Sequence, residues 1–358
     1  MKRLSRISKY FVFLIVTLMC ISFFSFSAAS SPSYSLSESY KIVIDGDGRE
    51  LPRPPKPEKK YTIGALIPMI ANPHFVAQAY GYLDEGEQLG ADVILFAIEG
   101  YQFVDKQIQQ IEDLISMGVD AICLVAASAD GTVPIVQRAV DAGIPIVNVN
   151  VMTKSEKVSS QIRSEDEEIG RIQAKYHEKM LNGQGNVLMI NGIPGTSWAI
   201  YRSKGYREYI QENVPGITIL DERWCDNSPE AALKEVDDAL QVYDKIDAIY
   251  SPGELFATGA VQALEGAGKL EDTLVTGVDP SPEGVALMKA GKIDMMVVQS
   301  SVTQGRWGIR AAINILEGRA AETYRKYWSP LWVVDGDNVD EFEFLDVNAP
   351  PKGWKLPL

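Results

Sequence analysis

From Tyr61 onward the chain alternates between two hydrophobic rhythms. Short apolar runs, "TIGALIP", "ADVILFAI", "VDAICLVA" and "IPIVNVNV", are separated by stretches in which apolar residues recur every third or fourth position. Short runs bounded by Gly, Pro or Asn predict buried strands, and the longer spacing predicts helices packed on them. Phe75, Ala79 and Leu83 mark one helix, Val104, Ile108, Ile111 and Ile115 a second, and 133–140 a third. A second series follows. Ser164, Asp166 and Glu167 start a helix carrying Ile169, Ile172, Tyr176 and Met180, and the strands are "NVLMIN", "GITIL", "DAIYS", "TLVTGV" and "IDMMVVQ". Two later helices open with a cap followed by proline, Ser228-Pro229-Glu230 and Ser281-Pro282-Glu283. A last amphipathic helix covers about 302–317. Strands alternating with helices need a parallel sheet with right-handed crossovers, so two such series predict an α/β fold of two doubly wound lobes.

The rhythm is absent before Tyr61. Lys2, Arg3, Arg6 and Lys9 make a basic start, 11–26 are mostly apolar, and Ser27 and Ala29 are small residues at the −3 and −1 positions of a cleavage site. That pattern predicts a secretory signal peptide over 1–29, with an uncleaved membrane anchor as its rival. Met19 before Cys20 is too large for a lipid-attachment box, which predicts a soluble exported protein. Residues 30–60, with "LPRPPKPEKK", read as a proline-rich tether or extended arm. After the leader two cysteines remain, Cys123 inside an apolar run and Cys225 far from it, so a disulfide is poorly supported.

Charge narrows the partners. The whole chain carries −14, and the leader holds four of the basic residues and no acidic one, leaving the remainder at −18. Such acidity disfavours nucleic acid and anionic lipid. Catalytic signatures are missing too. His74 and His177 stand at no metal-ligand spacing, and there is no Walker sequence, no G-x-S-x-G and no Gly-rich turn after the first strand. The expectation is a binding protein, not an enzyme, with neither cofactor nor metal.

In open parallel sheets, ligands bind beyond the carboxyl ends of the strands. The residues there are Asn72, His74 and Phe75, then Glu99 and Tyr101, Ser128 and Asp130, and Asn148 and Asn150. The second series adds Trp198, Trp224, Asp226, Gly253, Glu254, Asp279 and Gln299. From them Asn72, Phe75, Tyr101, Ser128, Trp198, Glu254, Asp279 and Gln299 form the candidate ligand-binding set. It contains no arginine or lysine, which suits a neutral or cationic small ligand. Phe75, Tyr101 and Trp198 would wall an aromatic site. The plainer alternatives are core packing for Phe75 and Trp198 and a surface turn for Tyr101. Asp279 accepts hydrogen bonds from a ligand or caps a loop. Gln299 meets ligand or satisfies the crossing chain, and Glu254 meets ligand or only complements a helix dipole.

The stretches "IGALIPMIANPHFVA", "QIQQIEDLISMGVDAICLVAASADG", "AGIPIVNVNV", "GTSWAIYRSKGY", "GELFATGAVQAL", "VTGVDPSPEGVALMKAGKI" and "VVQSSVTQGRWG" resemble, in order and spacing, the type I periplasmic binding proteins of the ribose-binding kind. Those share their fold with the effector domains of the lac-repressor family. The resemblance implies two lobes joined by a three-segment hinge that close over one solute. It sets the first lobe at 61–151 and 300–325, the second at 152–299 and 326–335, and an irregular tail at 336–358. It also implies ligand-binding roles for Asn72, Asp279 and Gln299. The arginine of the family pattern falls at Ile200 and its asparagine at Gly253, a departure from an ordinary sugar site. A DNA role is disfavoured, because a leader and a proline-rich arm stand where repressors carry a headpiece.

"EGYQFVDKQIQQIED", the aromatic in "NPHFV", the tryptophan in "GTSWA" and the ending "NAPPKGWKLPL" are similar to the TorT family of periplasmic trimethylamine N-oxide sensors. That similarity implies a ligand cage of Phe75, Tyr101 and Trp198, with Tyr250 or Phe256 as a fourth wall. Its partner would be an inner-membrane sensor histidine kinase. The alternative is the receptor of an ABC importer for a sugar-like solute, with a membrane permease as partner.

Overall fold

The computed structural model describes residues 41–42, 51–319 and 326–357. The expected leader over 1–29, with Cys20, lies outside the described residues, as does the first part of the arm. After β1 (Lys41–Ile42) come β2 (Thr62–Ile67), α1 (Pro73–Leu89), β3 (Asp92–Ala97), α2 (Val104–Met117), β4 (Ala121–Leu124), α3 (Val133–Asp141), β5 (Ile146–Val149) and β6 (Ser160–Arg163). Then follow α4 (Asp166–Met180), β7 (Gly185–Gly192), α5 (Ser197–Asn213), β8 (Ile217–Trp224), α6 (Pro229–Leu240), β9 (Ala248–Tyr250) and α7 (Glu254–Ala267). The described chain ends with β10 (Leu274–Val278), α8 (Pro282–Lys289), β11 (Met295–Gln299), α9 (Ser301–Leu316), β12 (Lys326–Trp328) and β13 (Leu331–Asp335).

The first lobe is a six-stranded parallel sheet in the order β12-β6-β5-β4-β2-β3. Its central strands β2 and β4 are apolar on both faces, as a sheet covered by helices on each side requires. Leu66 joins Ile111, Leu114 and Ile135 on one face, while Ala65 and Ile67 join Phe75, Tyr82 and Trp307 on the other. The second lobe orders its seven strands β1-β13-β11-β10-β9-β7-β8, with β13 and β1 antiparallel at one edge. Two doubly wound lobes result. From β2 onward, among the described residues, the chain passes between the two sheets three times, through Ser164–Glu165, Ser300 and Ser329–Pro330.

Four expectations need correction. The lobe boundary at 151/152 falls too early, because β6 pairs with β5 in the first sheet. "SQIR" has no apolar run to announce a strand. Residues 326–328, assigned above to the second lobe, form β12 beside β6 in the first. Ser164 sits in a crossing segment, and Glu165 is the N-cap of α4. The described parts of the arm and the tail pack on the lobes, which their composition does not announce. Lys41–Ile42 pairs with β13, Leu51 is fully buried, and Arg53 reaches Glu85 at 2.7 Å. Val339, Phe342 and Phe344 pack on the second lobe's core, and Trp354 meets Tyr80 edge-on.

Each lobe has a close helix crossing at its cleft side; the second lobe has another where Gly259 of α7 meets the Pro229 carbonyl of α6. In the first, α1 meets α9 at Gly81 and Gly305, where a β-carbon on Gly305 would lie 2.1 Å from the Gln78 carbonyl oxygen. In the second, α4 meets α5 at Gly170 and Gly205, where a β-carbon on Gly205 would lie 1.9 Å from the Glu167 carbonyl oxygen. Only glycine lets backbones approach this closely. The cleft-side crossings bring the first turns of their four helices to the cleft.

Candidate functional site

Between the lobes, at the carboxyl ends of the strands, lies a cavity of about 90 Å³. Seven members of the candidate set line it: Asn72, Phe75, Tyr101, Trp198, Glu254, Asp279 and Gln299. Ser128 does not. Its hydroxyl accepts the Gly131 N–H at 3.0 Å and is spent on the turn before α3. Three further strand-end residues are occupied elsewhere. Glu99 pairs with Lys106, Asp130 with Lys154, and Asn148 donates to the Leu124 and Val151 carbonyls. Tyr250 is fully buried and not part of the wall, while Phe256 lines it.

The aromatic wall comes from both lobes. Phe75 is 3% exposed and belongs to the first lobe's core, so its core reading holds even as one face lines the cavity. It meets Tyr101 in a T-shape at 6.5 Å. Trp198 packs against the cores of both lobes and lies 6.4 Å from Phe256. Burial pushes the Tyr101 phenol well up, so it stays protonated.

A cation also reaches the cavity, contrary to the expectation of none. Arg202 is one helical turn after Trp198, and its guanidinium sits 5.4 Å from the indole. It donates to Asp166 at 2.9 Å and to the Pro252 carbonyl at 2.7 Å. Burial raises Asp166 above the ordinary carboxylate range, with Arg202 opposing. The charge is thus largely met inside the protein. The spacing Trp198-x-x-x-Arg202 was the available signal, since residues four apart share a helix face.

Glu254 lines the cavity but serves α8. Its carboxylate accepts the Ser281 and Gly284 N–H groups, each at 2.8 Å, at that helix's N-terminus. Burial pushes its pKa up against those hydrogen bonds. Asn72 is partly committed too, its Oδ1 accepting the His74 N–H at 2.9 Å as the cap of α1.

The polar centre is Asp279, in a left-handed conformation at φ 59°. Asn150, also lining the cavity, has φ 58°. Such backbone in non-glycine residues costs about 1–3 kcal/mol and clusters at functional sites. Asp279 accepts the Gln299 backbone N–H at 2.9 Å and the Gln299 amide. His74 Nδ1 approaches its Oδ2 at 3.1 Å from the opposite lobe. Burial pushes the Asp279 carboxyl upward, but His74, Arg202 and the Gln299 N–H outweigh it and hold it below the usual carboxylate range. His74, Asn150, Arg202, Asn227 and Phe256 also line the cavity beyond the candidate set. The arrangement offers ring faces on two sides, one ionised carboxylate and several amides.

Comparison with known proteins agrees with this geometry. A periplasmic binding protein domain family matches residues 63–320. A putative rhizopine-binding protein of Rhizobium meliloti is 32% identical over 247 residues, covering 67% of this chain and 79% of that protein. The ribose import binding protein of Bacillus subtilis is 27% identical over 265 residues, covering 74% and 85%. Among solved structures, an ABC transporter solute-binding protein from Bacillus halodurans with bound myo-inositol superposes with a TM-score of 0.72. It is 27% identical and covers 79% of this chain and 96% of that one. Another from Actinobacillus succinogenes with bound D-allose gives 0.74 at 25% identity, covering 79% and 100%. These relatives are substrate-binding proteins, not enzymes.

Proposed function

Because this chain belongs to the periplasmic binding protein family, we propose that it is the solute receptor of an ABC importer for a small polyhydroxylated ring, a sugar or a cyclitol. The observation that carries this reading is the cavity's lining. Phe75, Tyr101 and Trp198 offer ring faces for the C–H faces of a sugar-like ligand, and Asp279 offers an ionised acceptor for its hydroxyls. The relatives bind or import rhizopine and ribose, and the structural neighbours hold myo-inositol and D-allose. They favour the importer over the TorT-like sensory reading, in which a cage of aromatics holds trimethylamine N-oxide and a sensor kinase is the partner. Family membership places the protein in the periplasm, consistent with the expected leader.

Both lobes contribute to one cavity, so ligand stabilises the closed arrangement through contacts that an open one lacks. The test is a thermal-unfolding and calorimetric panel of myo-inositol, D-ribose, D-allose and trimethylamine N-oxide. A ligand at a hundred times its dissociation constant adds about 2.7 kcal/mol of stability. Stabilisation by a polyol, weakened by Trp198→Ala and Tyr101→Ala by about 1–3 kcal/mol of binding, is the expected result. Stabilisation by trimethylamine N-oxide alone would return the sensory reading.

A further inference from the structure

The hinge and the cavity are joined by one buried hydrogen-bond chain. Gln304, in the first turn of α9, is fully buried. Its Nε2 donates to Ser164 Oγ at 2.9 Å and to Ser329 Oγ at 3.0 Å. Those serines belong to two of the three crossing segments and touch each other at 3.0 Å. Gln304 Oε1 accepts from Asn150 Nδ2 at 3.0 Å, and the same Nδ2 lies 2.9 Å from His74 Nε2. His74 Nδ1 then faces Ser301 Oγ at 2.8 Å and Asp279 Oδ2 at 3.1 Å.

The direction of the bonds from Gln304 to His74 follows from counting protons. Were the Gln304 amide reversed, its oxygen and the two serine oxygens would form three contacts with only two hydroxyl protons to share. One contact would be left as two oxygens without a proton. With Nε2 toward the serines, all three are satisfied. Gln304 therefore presents Oε1 to Asn150, and Asn150 must answer with its NH₂ group. The second proton of that group points at His74 Nε2, which must accept. The ring proton is then on Nδ1, toward Ser301 and Asp279.

We propose that Gln304 is a positioning residue for the binding site. Fixed by the hinge serines, it sets the tautomer of His74 and so gives Asp279 a donor from the opposite lobe. Asp279 Oδ2 is thereby engaged by His74 and the Gln299 amide, and Oδ1 keeps one lone pair beyond the Gln299 N–H. The carboxylate that a ligand meets is oriented before the ligand arrives. The relevance to ligand rests on the reading above that Asp279 meets a solute, but the proton arrangement itself does not.

The test needs no ligand. The chain has two histidines, so long-range proton–nitrogen spectra of ¹⁵N-labelled protein show two ring systems, separable with a His177→Gln variant. In the wild type, His74 is expected as the single Nδ1–H tautomer. Gln304→Leu should lose that single tautomer, shifting both ring nitrogens toward averaged values. Gln304→Glu keeps an acceptor for Asn150 but puts an oxygen in place of the two Nε2 protons toward the serines, so it should recover the Nδ1–H tautomer only in part. Asn150→Asp presents only acceptors to Nε2 and should place a proton there. An Nε2–H or doubly protonated His74 in the wild type would overturn the proposal, as would an unchanged tautomer in Gln304→Leu. Should Gln304→Leu fail to fold, the wild-type and Asn150→Asp spectra still decide. A polyol that fails to bind, with these spectra as expected, would count against the proposed function and leave the positioning role standing.

Discussion

The two lobes carry matching helix crossings with different chemistry at their cleft ends. In the first lobe the crossing of α1 and α9 ends in a hydrogen bond, His74 to Ser301. In the second, the crossing of α4 and α5 ends in an ion pair, Asp166 to Arg202, with Trp198 beside it. The histidines sharpen the contrast. His74 stands in the first turn of its helix with partners at both ring nitrogens. His177 stands in the last turn of its own, far from the cleft. Its Nδ1 meets the Tyr206 hydroxyl at 2.6 Å, its Nε2 has no hydrogen-bond partner, and burial lowers its pKa to about 3. A shared helix-pair scaffold thus holds a neutral polar wall on one side of the cavity and a paired charge on the other.

The largest effect is expected where the charge is paired. Arg202→Leu leaves the half-buried Asp166 without its cation, and breaking such a pair from one side costs up to about 3–5 kcal/mol. Asp166→Leu combined with Arg202→Leu should recover much of that loss, because neither charge remains. Chemical denaturation of the two variants measures both. Equal stability of the single and double variants would mean that Asp166 is already neutral in the fold, as its upward shift allows, and the charged side of the comparison would dissolve.

Acid should act next, through His177. Its folded pKa lies below the unfolded value, so the neutral ring's contribution is fully present above about 6.5. It is lost progressively as the pH falls toward about 3 and is constant below that. The expected loss across the window is on the order of a few kcal/mol. His177→Gln keeps a polar partner for Tyr206 and should lower the slope of stability against pH between about 6.5 and 4. Subtracting the two profiles removes the carboxylates common to both. Identical profiles would show that the ring is protonated or solvated in the native state.

The crossings themselves are the part the lobes share. Gly205→Ala and Gly305→Ala put a β-carbon against opposing backbone that can yield only by moving a helix, which costs about 1–3 kcal/mol as overpacking. Gly266, in α7, has open space around its would-be β-carbon, so Gly266→Ala should instead stabilise by up to about 1 kcal/mol. Melting temperatures falling in the first two variants and rising in the third fit this account. A fall confined to one lobe would break the symmetry.

Periodicity made the strands legible, and cap chemistry made two helix starts legible. Ser228 and Ser281 each accept N–H groups in the first turn of the helix that follows. The strand-end rule drew most of the candidate set to one cavity because ligand position in such sheets is a property of topology. It failed where a side chain's direction mattered. Ser128 is at a strand end but turns back onto its own loop. Arg202 is a full turn into its helix, beyond the strand end, yet its length returns it to the cleft. The hinge serines escaped notice because their partners are distant in the chain, 165 residues apart for Ser164 and Ser329. Linear spacing carries no trace of such a contact.

The smallest effect belongs to the neutral side of the cleft. Ser301→Ala removes one partner of His74 Nδ1 and leaves the other, Asp279 Oδ2 at 3.1 Å. The ring proton then turns wholly to the carboxylate, so no buried group is left unpaired. The expected loss is that of one ordinary hydrogen bond, about 0.5–1.5 kcal/mol. Arg202→Leu strands a charge at the matching position in the other lobe and should cost several times more. Measuring both variants by denaturation at one neutral pH compares the two cleft ends directly. A Ser301→Ala loss as large as that of Arg202→Leu would mean that His74 depends on the serine for its orientation and is not held by Asn150. The chain from Gln304 to Asp279 would then be anchored at α9 and not at the crossing segments.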